Sequence, residues 1–309
     1  MDIRIEHLTK RFGAQIAVND IGFEVRTGEV LGFLGPNGAG KTTTMRMILG
    51  SIAPDSGTIT IGGTRVSEER MDLKRAIGYL PESNPLYEDM AVLDLLRFTA
   101  RIQGVGRSAV DARVKEMVEV CGLEREKHKR IRELSKGYRQ RTGLAQAMVH
   151  DPQVLILDEP TSGLDPNQLV EIRSLVQRLG RSKTVIFSTH ILPEVEAICD
   201  RVLIIDKGRI VADASPSALR GGRGSAALLQ VRIEEAPSEA VLSALRMCTT
   251  IRQATTAPGT AEVYLLHTHD EHAAAREVFA LCVAHHWVLT GLHPVEHRLE
   301  DVFRDLTLN

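Results

Sequence analysis

Gly35-Pro36-Asn37-Gly38-Ala39-Gly40-Lys41-Thr42, lying between the apolar run Val30 to Leu34 and the helical stretch Thr43 to Leu49, decides the fold. It spells G-x-x-x-x-G-K-[ST], and a strand before it and a helix after it are the context that pattern requires. The glycines Gly35, Gly38 and Gly40 let the loop turn tightly. Backbone N–H groups of Gly35 and of Asn37 to Thr43 then point inward, and the helix N-terminus faces an anion. From this loop Lys41 reaches the β and γ phosphates of a nucleotide, while the Thr42 hydroxyl is offered to Mg²⁺, whose octahedral shell is shared with phosphate and water.

Outward from the loop, two hydrophobic patterns appear. Ile3/Ile5, Ile21/Phe23/Val25 and Ile59/Ile61 alternate with polar residues, as half-buried antiparallel strands do. Val30 to Leu34, Val154 to Leu157, Val185 to Phe187 and Val202 to Ile205 are nearly continuous apolar runs, expected of parallel strands covered on both faces. Residues 89 to 150 read as helices, with stops at Gly104 and Gly122 and a capping box Ser108-x-x-Asp111. The fold class is therefore α/β, of P-loop type. The run Val154 to Leu157 ends in Asp158 and Glu159, acids at the mouth of a buried strand. Asp158 is expected to hold the Mg²⁺ shell and Glu159 to orient or deprotonate the water that attacks the γ phosphate.

The whole chain has 309 residues, with 38 basic and 40 acidic side chains, and suggests two domains. Residues 1 to 220 carry 31 basic and 29 acidic side chains, whereas 221 to 309 carry 7 arginines, no lysine and 11 acids. The break falls in the linker-like stretch Ser215 to Ser225, with its glycines at 221, 222 and 224. Beyond it the order reads β (227 to 233), α (238 to 246), β (249 to 255), β (261 to 267), α (271 to 285), β (287 to 292) and a last helix near 297 to 306, which suits a split βαβ sandwich. Seven of the eleven histidines lie after residue 260, His267, His269 and His297 among them, without the Cys or carboxylate spacing of a metal set. Four dispersed cysteines fit a reducing cytoplasm, and neither a signal peptide nor a convincing membrane span is evident.

The phosphate loop alone does not separate kinase, GTPase, helicase and transporter. Leu134-Ser135-Lys136-Gly137-Tyr138-Arg139-Gln140-Arg141, followed by Asp158-Glu159, Ser162-Gly163-Leu164-Asp165 and His190, resembles the ordered motifs of an ABC nucleotide-binding subunit over residues 1 to 220. The wording of these segments and Leu299-Glu300-Asp301-Val302-Phe303 is similar to ATP-binding subunits of ABC-2-type exporters, particularly the gliding-motility-associated group. The resemblance implies a P-loop ABC ATPase domain over 1–220, with a mixed core sheet, an antiparallel β subdomain and a helical subdomain at about 83–150. A small accessory α+β domain occupies 225–309.

It also implies ATP and Mg²⁺ as cofactors. Ser135 and Gly137 would close over the γ phosphate held by another subunit, with Asp165 beside them, so that a homodimer or heterodimer of ATPase subunits shares two sites. His190 resembles the switch histidine linking the γ phosphate to Glu159, and Phe12 the aromatic that stacks on adenine. Glu82 stands where the family has a glutamine near Mg²⁺ and the attacking water, and Lys136 replaces the first glycine of the usual signature pair. The expected partner is an ABC-2-type membrane permease, received near Leu86, Tyr87 and Met90, which places the subunit in the cytoplasm at the inner face of the membrane. Nucleic acid is not expected, since the tail is net acidic and only 94 positions separate Lys41 from Ser135, too few for long coiled coils.

Overall fold

Burial follows the two periods set by the hydrophobic residues. The structure is a computed structural model describing residues 1–220, 227–257, 259–260, 262–295 and 299–307. Its elements begin with β1 (Ile3–Phe12), β2 (Gln15–Val25), β3 (Val30–Leu34), α1 (Lys41–Ile48), β4 (Ser56–Ile61), β5 (Thr64–Arg65), α2 (Met71–Arg75) and β6 (Ile77–Leu80). The helices α3 (Val92–Ile102), α4 (Val110–Val120) and α5 (Lys136–Met148) come next. Then follow β7 (Val154–Asp158), α6 (Pro166–Gly180), β8 (Thr184–Thr189), α7 (Leu192–Ile198), β9 (Arg201–Asp206), β10 (Arg209–Ala214) and α8 (Pro216–Arg220). The remainder is β11 (Ala227–Glu234), α9 (Ser238–Met247), β12 (Ile251–Thr256), β13 (Val263–Thr268), α10 (Glu271–His285), β14 (Val288–Val295) and α11 (Leu299–Thr307).

The chain divides into two compact units, Met1–Pro216 with the end of the chain, and Ser217–Asp305. In the first, the continuous apolar runs are buried at every position of β3, β7 and β8. They form a six-stranded sheet in the order β10-β9-β3-β8-β7-β6, parallel except for β10. The alternating segments form a second, antiparallel sheet, β2-β1-β4-β5, whose Ile3, Ile5, Ile21 and Ile59 enter the core shared with α1. Since β3, β8 and β7 are neighbours, the loops leaving their C-terminal ends converge, the usual place for a ligand on an open parallel sheet. Leu34 is level with Thr189, and Asp158 with Ser188.

Two expectations need correction. α4 is not capped by Ser108: its N-cap is Ala109, already in helical conformation, and the Asp111 carboxylate instead accepts from Arg97 Nε at 2.9 Å. An N-cap needs non-helical backbone, and the turn closed by Ala109 N–H on Gly106 C=O brings the chain into helix too early. Pro216 starts the short helix α8 inside the stretch read as linker, because its fixed φ suits a first helical position; residues 221–226 of that stretch lie outside the described residues. β13 ends at Thr268, within one residue of the strand end read from the sequence, which leaves His269 outside the strand that carries His267; His297 is not among the described residues. The stops at Gly104 and Gly122 are found as read, with φ of +85° and +64° just past α3 and α4.

The second unit has the βαββαβ order read from its sequence, with an antiparallel sheet β12-β13-β11-β14 and Tyr264 as its largest buried side chain. Glu277 on α10 accepts from the backbone N–H of Thr249 and Thr250, at 2.8 and 2.9 Å, and from both hydroxyls, tying the turn before β12 to the helix. Partial burial pushes its carboxyl up, but these donors outweigh it and hold the group below its ordinary value of 4.5. A depressed carboxyl stabilises the fold fully above that value and loses the contribution as pH falls from there through the lowered value of the folded state. Glu277→Gln is therefore expected to cost about 1 kcal/mol at pH 7, discounted for partial exposure. The gap in melting temperature from wild type should close below about pH 4.5, and a gap independent of pH would contradict this account.

Candidate active site

The loop between β3 and α1 owes its shape to two glycines. Gly38 and Gly40 have φ of +80° and +110°, a region costly for residues with a Cβ, and a Cβ at Gly40 would collide with the Ala17 carbonyl. Gly40 is also the N-cap of α1 and offers no side chain to its first N–H groups. Lys41 folds back over the loop: its Nζ donates to the carbonyls of Gly35, at 2.6 Å, and Pro36, at 3.2 Å, and the residue is 6% exposed. Burial lowers its pKa, against the opposing pull of Glu159, Asp158 and Glu82.

The Thr42 hydroxyl donates to Asp158 Oδ2 at 3.1 Å, while Asp158 Oδ1 accepts from Ser188 Oγ at 2.8 Å. Glu159 follows with φ +50° and is 5% exposed. Nδ1 of His190 lies 2.9 Å from both Glu159 carboxylate oxygens. An ionised carboxylate only accepts, so Nδ1 presents an N–H to Glu159. Burial raises the pKa of Glu159 and the Asp158 charge adds to this, while the hydrogen bond and charge of His190 and the charge of Lys41 oppose it. A carboxylate held on the proton-accepting side of its usual range, beside a hydroxyl–carboxylate pair and a buried ammonium, is equipped for hydrolysis at a phosphate.

Phe12, Asn37, Gly38, Gly40, Lys41, Thr42, Thr43, Glu82, Asp158 and Glu159 all line one cavity of 380 Å³. Gly35 is not among the lining residues but holds Lys41 Nζ through its carbonyl, and a Cβ on it would strike the Ile205 carbonyl. Phe12 is 53% exposed, with Lys10 Nζ 5.7 Å from its ring centre. The other three predicted residues sit elsewhere. Ser135 caps α5 by accepting from Tyr138 N–H at 3.4 Å, and Asp165 caps α6 by accepting from Gln168 N–H at 2.9 Å. Gly137 lies against the Gln168 side chain, where a Cβ would collide.

Sequence reading missed Gln15, which is paired with Phe12 across the hairpin and lines the same cavity. It also missed Ser188, whose only signal is a hydroxyl inside an apolar run. A second cleft of 1000 Å³ runs from Thr42 and Glu82 past Lys136 to Leu86 and Arg139. Beyond it Tyr87, 60% exposed, meets Phe98 edge to face at 5.9 Å.

Residues 18–162 match the family model described as ABC transporter. The chain is 41% identical over 221 residues to the Nod factor export ATP-binding protein I of Burkholderia lata, covering 70% of this chain and 72% of that protein. It is 33% identical over 306 residues to the linearmycin resistance ATP-binding protein LnrL of Bacillus subtilis, covering 99% and 98% of the two. A solved structure described as that of an ATP binding subunit of an ABC transporter superposes with a TM-score of 0.65 at 30% identity, over 71% of this chain and 92% of that one.

Proposed function

The chain belongs to the ABC transporter family as an ATP-binding and ATP-hydrolysing subunit, and from this we propose that two such subunits close head to tail over ATP to drive an ABC-2-type membrane permease in export. The supporting observation is that α1 and α5 both begin at helix N-termini suited to anions, yet of the two only the start of α1 lines the cavity with Glu159. The cap at Ser135, with Gly137 behind it, is then available to the γ phosphate of a second subunit.

In this reading Phe12 stacks on the base and the loop from Asn37 to Thr43 wraps the phosphates. Thr42, Asp158 and Glu82 present only oxygen donors, the set that Mg²⁺ takes, and would hold it. When bound, the ion neutralises charge on the β and γ phosphates. Glu159 orients the attacking water and receives its proton, and His190 keeps that carboxylate in place while Nε2 meets the γ phosphate.

The test is the dependence of ATPase activity on protein concentration. Specific activity should rise steeply as dimers form, and an unchanged rate per molecule for subunits immobilised singly would overturn the reading.

No described helix is long and apolar enough to cross a membrane, and membrane attachment at the cytoplasmic face is assigned to the permease. Tyr87 and Phe98 form an exposed aromatic pair close to Leu86 and Met90, which suits an apolar partner helix. Tyr87→Glu should leave the ATPase activity of the isolated subunit within about twofold of wild type, since surface substitutions usually cost under 0.5 kcal/mol. It should at the same time abolish co-purification with the permease. Retained co-purification would remove this surface from the account.

A further inference from the structure

α7 carries a carboxylate with no place in the reaction described so far. Glu194 is fully buried, and its Oε2 accepts two hydrogen bonds, from Thr161 Oγ1 at 2.7 Å and Thr189 Oγ1 at 2.8 Å. Its Oε1 has no partner among the described residues. A carboxylate in a core is costly, and a leucine of similar size would fill the space without that cost. What distinguishes Glu194 is where its two partners lie. Thr161 is two residues after Glu159, and Thr189 immediately precedes His190. Both hydroxyls are themselves buried, and Thr189 Oγ1 also accepts from Ile191 N–H at 3.0 Å.

We propose that Glu194 is a positioning residue whose single oxygen ties the loop after β7 to the end of β8, thereby fixing the contact between Glu159 and His190. The inference rests on the role given above to Glu159. It explains a second feature of the site. Glu159 has a left-handed φ of +50°, a conformation that persists in a non-glycine residue only where its surroundings over-determine it. Glu159 N–H donates to Ser188 C=O at 3.1 Å, and Ser162 N–H to Glu159 C=O at 3.1 Å, which holds the turn at its backbone. The Thr161 hydroxyl on Glu194 anchors the same turn to the core from its far side. Without that anchor the turn can relax, and the carboxylate moves relative to both the imidazole and the attacking water.

The test uses the full chain with Thr161→Val, Glu194→Gln and Glu194→Ala, each measured for ATP affinity, KM and kcat. A displaced base costs turnover and not binding, so Thr161→Val and Glu194→Ala should lower kcat about 10- to 100-fold with ATP affinity and KM unchanged. Glu194→Gln keeps an oxygen able to accept both hydroxyls and should remain within about threefold of wild type. In a Glu159→Gln background Thr161→Val should lower kcat no further, because groups acting as a unit are not additive.

Wild-type kcat for Thr161→Val would overturn the proposal. So would a kcat loss of equal size with and without Glu159, since that marks general damage. If Glu194→Ala does not fold, Thr161→Val still decides. Should Glu159→Gln itself turn over normally, the assignment of the base has failed, whereas a stalled Glu159→Gln beside an unaffected Thr161→Val removes the clamp alone.

Discussion

Glu159→Gln is expected to lower ATP hydrolysis by about 10²- to 10⁴-fold, the range for loss of a positioned general base, while ATP still binds. The amide occupies nearly the same volume, and its oxygen can still accept from His190 Nδ1, now 2.9 Å from the carboxylate. What disappears is the negative charge and with it the capacity to take a proton from water. Removing that charge also relieves a burial cost, since desolvation is what raises this carboxyl's pKa. The variant should therefore melt no lower than wild type. Loaded with ATP, it should accumulate as a closed dimer, visible as a doubling of mass by light scattering that needs ATP and does not decay. Hydrolysis at the wild-type rate would transfer the role of base elsewhere.

The parts of this site that could be read in the sequence were those whose physics is local. A phosphate loop is contiguous because one tight turn does the work, so Gly35 to Thr42 announces itself. Asp158 and Glu159 stand out because acids directly follow the buried run Val154 to Leu157. Ser188 and Glu194 did not stand out, since each is a single polar residue whose partners lie on other elements, Asp158 in one case and Thr161 and Thr189 in the other. Gln15 was hidden for a similar reason: only the hairpin register puts it opposite Phe12. Ser108 misled in the other direction, because a capping box is a statement about backbone angles that letters alone do not carry. The accessory unit was legible as an order of elements, while the helix at Pro216 depended on turn geometry.

Lys41→Ala should have the opposite signature to Glu159→Gln, loss of binding before loss of chemistry. In the structure Nζ is satisfied by two carbonyls of its own loop, and Asp158, Glu159 and Glu82 all pull on its charge. Triphosphate brings further negative charge against those three carboxylates, and this ammonium is the one cation among the described residues lining the cavity. Without it, the amides of the loop and the dipole of α1 remain, contributing a fraction of a full charge. Truncating one partner of a buried charge pair costs about 2–5 kcal/mol, so ATP affinity should fall by about 30- to 5,000-fold. The fold itself should survive, because a buried ammonium with a depressed pKa is a cost that alanine removes, against the loss of its two hydrogen bonds. Melting curves make the distinction directly. Ligand that binds only the native state raises the melting temperature, so ATP should stabilise wild type and Glu159→Gln alike and leave Lys41→Ala unmoved. An ATP-induced shift in Lys41→Ala equal to that of wild type would mean that the phosphates are held by backbone alone, and the carboxylates around Lys41 would then need another counter-charge.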